Sequence, residues 1–286
     1  MTIAADAFYR WQPAAWLRVV GPDALAFLQG QFTNDLRELE KSPAVYGLWL
    51  NQKGRVLADS FVVRGHAAEE FWVGSYFSSA AVIRERLESY IIADDVTIAD
   101  ETTAWSGVTV TGPNAAAAAR GLGAGFVFAG RRGLADSVEY VALGIPEIKD
   151  RSQLSAGEME RARIQALIPA VPGDLGSGEL PNEGGLETVA ISYTKGCYLG
   201  QEVMARLKSM GKVRRQLFQV KGAGVVPSGP TKLYQGQKSV GELRSTAPAG
   251  DGFIGLALCG LLHLRRDAGL SFAPDAPAVV TLVDSP

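Results

Sequence analysis

The chain repeats itself, and the repeat limits the fold before any composition is weighed. Leu17-Arg-Val-Val-Gly-Pro-Asp-Ala24 recurs as Val108-Thr-Val-Thr-Gly-Pro-Asn-Ala115. In both copies a β-branched strand runs into Gly-Pro, then Asp23 or Asn114, then an alanine- and leucine-rich helix. Proline in a first helical turn has its φ preset and lacks an N–H that would be orphaned there anyway. The next segments correspond as well. Phe71 to Ser75 is strand-like and leads to Ser78-Ser79, an N-cap for a helix through Tyr90. Val138 to Leu143 is strand-like and leads through an Ile-Pro-Glu turn to a helix over Glu158 to Ala166. Strand–helix units mixed with hairpins predict α+β lobes in duplicate.

Between the copies, Val45 to Leu50 and Val56 to Arg64 flank Asn51-Gln-Lys-Gly54, which predicts a hairpin. Asp59 interrupts the apolar alternation of its second strand; such a carboxylate ordinarily faces solvent. Beyond Lys212 the pattern changes. Short strands (Arg215 to Val220, Ser239 to Ser245, Phe253 to Leu258, Ala278 to Val283) alternate with turns such as Val226-Pro-Ser-Gly-Pro230. That spacing predicts a small antiparallel barrel or sandwich. The boundary falls near Met210-Gly211, giving a two-lobed region over 1–210 and a β-domain over 211–286.

Composition closes off several functions. The net charge of −2 argues against a duplex-binding surface, which needs a strong basic excess. The two cysteines, Cys197 and Cys259, sit in unrelated contexts, so a reducing compartment is expected and a disulfide framework is not. Met1 to Arg10 lacks a basic-then-apolar leader pattern, and no apolar run reaches the roughly 20 residues that span a bilayer. The expected location is the cytoplasm, away from membranes. With only His66 and His263, neither beside a second ligand, a zinc site or a Ser-His-Asp triad is not expected.

Lys195-Gly-Cys-Tyr-Leu-Gly-Gln-Glu202 holds the more informative cysteine. Gly196 and Gly200 flank Tyr198 and point to backbone that turns tightly or lies close to a neighbour. A helix-compatible run, Glu202 to Lys208, follows directly. A thiol ahead of a helix N-terminus, with Lys195 two residues away, stands where thiolate is favoured. The plain alternative is that Cys197 packs as a small hydrophobe, as most free cysteines do.

Phe27-Leu-Gln-Gly-Gln-Phe-Thr-Asn-Asp35, the Asn51-to-Asp59 hairpin, Leu180-Pro-Asn-Glu183 and the Lys195–Glu202 stretch occur in that order. Together they resemble the YgfZ family, whose hallmark is Lys-Gly-Cys-Tyr-x-Gly-Gln-Glu followed by an arginine, here Arg206. That family is related to the aminomethyltransferase (T-protein) of glycine cleavage. The resemblance implies a central channel for tetrahydrofolate and a role in assembly or repair of iron–sulfur enzymes and in tRNA modification. It places Asp59 near the reacting folate nitrogens, where a carboxylate holds or exchanges a proton. It makes Cys197, with Lys195, a working thiol. It assigns Gln165, Tyr193, Gln201, Glu202 and Arg206 to folate. Trp49, Tyr193 and Tyr198 are aromatic candidates to flank a flat pterin ring, although most such residues are simply core. Two departures stand out. The relatives' pterin-recognising glutamate falls on Gln165 of Arg163-Ile-Gln165, an amide that cannot form a charge-assisted pair. Their pterin-contacting asparagine has only Ser75 as a near match. Both departures speak against the rival reading, a true aminomethyltransferase. A folate sensor without chemistry is the third reading, favoured if Cys197 is buried. One cysteine cannot hold a cluster that takes about four ligands, so iron–sulfur proteins are expected as transient clients.

Overall fold

The computed structural model describes residues 6–134, 136–224, 227 and 229–283. The chain opens with β1 (Ala7–Trp11), β2 (Ala15–Val20) and α1 (Ala24–Gln31). The hairpin β3 (Ala44–Leu50) and β4 (Val56–Arg64) follows, then β5 (Glu70–Ser75), α2 (Ala80–Glu88) and β6 (Thr97–Asp100). The second copy runs through β7 (Ser106–Thr111), α3 (Ala115–Gly121), β8 (Phe126–Ala129) and β9 (Ser137–Ala142). Next come β10 (Ser152–Gln153), α4 (Ala156–Gln165), a short α5 (Glu187–Ala190) and α6 (Gln201–Met210). The remainder is β11 (Arg215–Ala223), β12 (Thr231–Gln235), β13 (Lys238–Ala249), β14 (Gly252–Gly260) and β15 (Val280–Leu282). These strands form three five-stranded sheets, ordered β3-β4-β5-β2-β6, β10-β1-β7-β9-β8 and β12-β13-β14-β11-β15.

The repeat is a structural duplication. Gly21 and Gly112 both have positive φ, 139° and 112°, and in each copy the residue three on donates back to the glycine carbonyl, Ala24 at 3.0 Å and Ala115 at 2.9 Å. A side chain on Gly21 would collide with the Asp95 carbonyl oxygen as well as strain the backbone. Asp23 and Asn114 are the N-caps, so each proline lies one residue outside its helix, not in the first turn as the sequence suggests. The copies also trade strands. β6, which precedes β7 in the chain, pairs with β2 in the first sheet; β1, which precedes β2, pairs with β7 in the second. Each lobe is completed by the leading strand of the other.

An aromatic cluster joins the two lobes. Trp16 (β2) and Trp72 (β5) pack against Trp105 and Phe126 of the second copy, with ring centroids 4.7–5.9 Å apart. Such rings bring large buried area and favour tilted or offset contacts. Helix starts follow local chemistry. Ser155 and Glu158 form a capping box, so α4 begins at Ala156 with Glu158 as its third residue.

The C-terminal sheet closes into a barrel. Leu270 bridges to Val280 of β15 and Ser271 bridges to Tyr234 of β12, joining the two edge strands. Closure removes the exposed edges. β12 is not among the strands that the spacing predicts, and Val226 and Ser228 of the expected Val226–Pro230 turn lie outside the described residues. Among the described residues no helix is long and apolar enough to cross a membrane. The protein is α+β: two duplicated lobes with a small antiparallel barrel, and the first lobe, the connecting segments and the barrel meet in one apolar cluster. Leu48, Leu50 and Val56 of the first lobe, Ile164, Val171, Leu175 and Leu186 of the connecting segments, and Leu217 and Leu256 of the barrel are all buried there.

Candidate functional site

Two of the sequence motifs are held together by one side chain. Lys195 is buried, and its ammonium donates to the carbonyls of Gln29, Phe32 and Asn34 at 2.5, 2.6 and 3.1 Å. Gln29 lies in the last turn of α1, where carbonyls lack helical partners and the helix dipole favours a cation. Thr33 and Asn34 complete the socket. Thr33 Oγ1 donates to the Ala190 carbonyl at 2.7 Å, and Asn34 Nδ2 donates to the Val189 carbonyl at 3.3 Å. Burial pulls Lys195 down to about 8, opposed by the nearby Asp35 carboxylate. The lysine thus fastens the base of the loop that carries Cys197.

Beyond the clamp the chain turns sharply. Gly200 caps α6 with φ of 86°, and a Cβ there would crowd the Asn51 carbonyl oxygen of the β3–β4 turn. Cys197 is exposed at the crest of this loop. Cys259, by contrast, is buried in β14, and burial pushes its thiol up to about 12. Any thiol chemistry open to reagents belongs to Cys197.

Asp59 is not the solvent-facing strand residue that its position suggests. It is buried in β4, with the Ser75 and Ser78 hydroxyls donating to Oδ1 at 2.8 Å each and Tyr46 donating to Oδ2 at 3.0 Å. The Arg131 guanidinium of the second lobe lies over the Tyr46 ring at 4.1 Å, and its Nη1 is buried without an acceptor. Burial raises the Asp59 carboxyl above its usual range, while the three hydroxyls pull it back down. A raised carboxyl favours the fold fully below its unfolded value, about 3.9, and loses that contribution as pH rises through the folded value. Asp59→Asn should therefore lose less stability than the parent as pH rises from 4 to 7 in urea titrations. Parallel pH profiles for the two proteins would show that the buried carboxyl does not titrate in this range.

Tyr46 also borders the central apolar cluster, and Tyr193 and Tyr198 border the same cluster. Around these tyrosines several polar atoms are buried without partners: the Tyr198 hydroxyl, Asn182 Oδ1 and Glu187 Oε2. Burial raises both Glu187 and Tyr193, and the Asn182 side chain beside the Tyr193 hydroxyl opposes the latter rise. Glu187 and Arg131 carry no motif of their own and were missed in the sequence; Asn182 lies within the flagged Leu180–Glu183 segment. The other candidates stand apart from this interior. Gln165 is exposed at the end of α4. Gln201 opens α6 half-buried, and Glu202 and Arg206 form an exposed i,i+4 ion pair at 3.1 Å on that helix. Trp49 is fully buried in the first lobe against Phe32, centroids 4.7 Å apart, with Nε1 donating to Ser60.

Known proteins share this fold. Residues 12–126 match the family described as the GCVT N-terminal domain. The fold matches the glycine cleavage system aminomethyltransferase T of Bartonella henselae with a TM-score of 0.79 at 17% identity, covering 99% of this chain and 86% of that one. In sequence the chain is 31% identical to the human iron-sulfur cluster assembly factor IBA57, mitochondrial, over 94% of this chain and 83% of that protein. It is 24% identical to the tRNA-modifying protein YgfZ of Sodalis glossinidius, over 87% of this chain and 85% of that protein. A relative this similar over so much of both chains, on an aminomethyltransferase-like fold, settles the kinship: the chain belongs to the IBA57/YgfZ family.

Proposed function

We propose that this protein binds tetrahydrofolate between its lobes and assists the assembly or repair of iron–sulfur enzymes, with Cys197 as its working thiol. The observation that carries the reading is the exposed Cys197 on a loop fastened from below by Lys195. A thiol kept only for packing would be covered, and an exposed one favours chemistry over the sensor reading. The relatives' names, an iron–sulfur cluster assembly factor and a tRNA-modifying protein, support clients of that kind. Free cysteines also suit a reducing compartment, the cytoplasm in this reading.

The interior suits a pterin. Its flat ring presents donors and acceptors on one edge, and the unpartnered Glu187, Asn182, Tyr198 and Arg131 atoms offer both kinds of complement. Tyr193 and Tyr198 would flank the ring, Asp59 would hold or move a proton at a folate nitrogen, and Gln201 and Arg206 would face the tail. When bound, reduced folate supplies nitrogens that accept or release one carbon. In this reading 1–210 is the folate-binding region and 211–286 the barrel that braces it. Aminomethyl transfer is the weaker alternative, because Gln165, the match to the relatives' carboxylate, is an exposed amide. Saturating tetrahydrofolate should raise the melting temperature in proportion to ligand excess. No shift, together with no heat on calorimetric titration, would remove folate from the account.

A further inference from the structure

Beyond the folate interior and the thiol loop, a groove of about 560 Å³ opens where α6 hands over to the barrel, lined by Gly211, Lys212, Val213, Arg214, Leu261 and Leu262. The Leu261 N–H donates to the Arg214 carbonyl at 2.9 Å, fixing the two walls together. Leu262 is 86% exposed and lies with Leu261 and Val213 on the apolar wall of this cleft. The charge is one-sided. Between Glu202 and Glu242 the sequence carries eight lysines and arginines and no carboxylate, in a chain whose net charge is −2. Lys208 sits over the Tyr193 ring at 4.3 Å and Arg215 pairs with Glu183 at 2.9 Å. Lys212 and Arg214 are exposed and make no ion pair or side-chain hydrogen bond among the described residues. Cations in a last helical turn complement the dipole, which accounts for Lys208 but not for two residues beyond the helix.

We infer that this groove docks an acidic segment of a partner protein, with an apolar side chain seated on Leu262 and Val213 and its carboxylates on Lys212 and Arg214. An apolar centre with a charged rim is the anatomy of a protein–protein contact. A nucleic-acid surface would instead present its cations on a polar face, because phosphates carry the affinity. α6 has ten residues, about 15 Å of helix, so the groove lies one helix length from the loop of Cys197. That identifies the partner as a client held within reach of the thiol; this identification rests on the function proposed above, whereas the docking chemistry does not.

The test uses the full chain and a fluorescein-labelled peptide of glutamates flanking two leucines, read by anisotropy. Saturable binding that weakens with salt is expected, with no binding of the matching lysine–leucine peptide. Reversing both cations (Lys212→Glu with Arg214→Glu) should weaken binding about tenfold or more, since like charges then face each other. Leu262→Ser should weaken it severalfold, and Cys197→Ser should leave it unchanged. Failure of the acidic peptide to bind, or equal binding to the charge-reversed variant, overturns the inference. So does displacement of the peptide by bulk tRNA with no effect of Leu262→Ser, which marks an RNA surface. Melting the charge-reversed variant with tetrahydrofolate separates the two claims. A retained folate shift with lost peptide binding supports the groove as a separate site; a lost shift in that variant means the fold was damaged and Leu262→Ser then decides.

Discussion

Lys195→Met should destabilise the protein by about 2–4 kcal/mol, because buried carbonyls left without donors cost about 1–3 kcal/mol each and only part is recovered by not burying an ammonium. The three acceptors, Gln29, Phe32 and Asn34, all belong to the turn that ends α1 and leads to β3. Methionine fills the stem's volume but cannot bridge them, so the loop bearing Cys197 loses its anchor. In urea titrations the midpoint should fall while the slope stays constant, the sign of a stability change without a change in exposed surface. Alkylation of Cys197 should change rate at the same time. A midpoint shift worth less than about 0.5 kcal/mol, the range of ordinary surface substitutions, would mean the ammonium does not hold the loop.

Arg163→Met should cost about 3–5 kcal/mol, the penalty for leaving a buried charge without its partner. Arg163 donates to Asp174 Oδ2 at 2.7 Å and to the Ile168 carbonyl at 2.6 Å, pairs with Glu160, and reaches Ser245 of the barrel at 2.8 Å. Asp174 is wholly buried, so it loses the one cation that, among the described residues, offsets its desolvation. The double change Arg163→Met with Asp174→Leu should recover much of the loss, since removing both charges also removes the uncompensated one. A double variant no better than the single one would place the cost in the Ser245 and Ile168 contacts instead.

The duplication was legible because strand, Gly-Pro and helix recur in the same order, and the physics of each piece is local. The strand exchange was not. Which sheet accepts β1 or β6 depends on long-range pairing, and nothing in Ala7–Trp11 or Thr97–Asp100 records the partner. The barrel was legible from its turns, yet its closure rests on two isolated bridges at Leu270 and Ser271 that carry no strand pattern. At the candidate site the motifs were found, but the role of Lys195 as read from spacing differs from its contacts. Two residues along an extended loop place a cation near the thiol in sequence; the folded chain spends that cation on the end of α1. Asp59 looked like a surface residue because its hydroxyl partners, Ser75, Ser78 and Tyr46, come from other strands and turns. Arg131 and Glu187 left no trace because an isolated charged residue in a loop is ordinarily solvated, and only tertiary packing covers one polar atom of each.

The central claim is that the thiol of the Lys195–Glu202 loop sustains iron–sulfur enzymes. Cys197→Ser replaces an exposed sulfur with a hydroxyl, so melting temperature and tetrahydrofolate binding should stay close to the parent's. The direct measurement is the activity of an iron–sulfur enzyme in cells lacking their own YgfZ protein, complemented with the parent chain or with Cys197→Ser at equal abundance. The account predicts restored activity with the parent and activity near the uncomplemented level with the serine variant. Full restoration by Cys197→Ser would contradict it and leave Cys197 without a functional role.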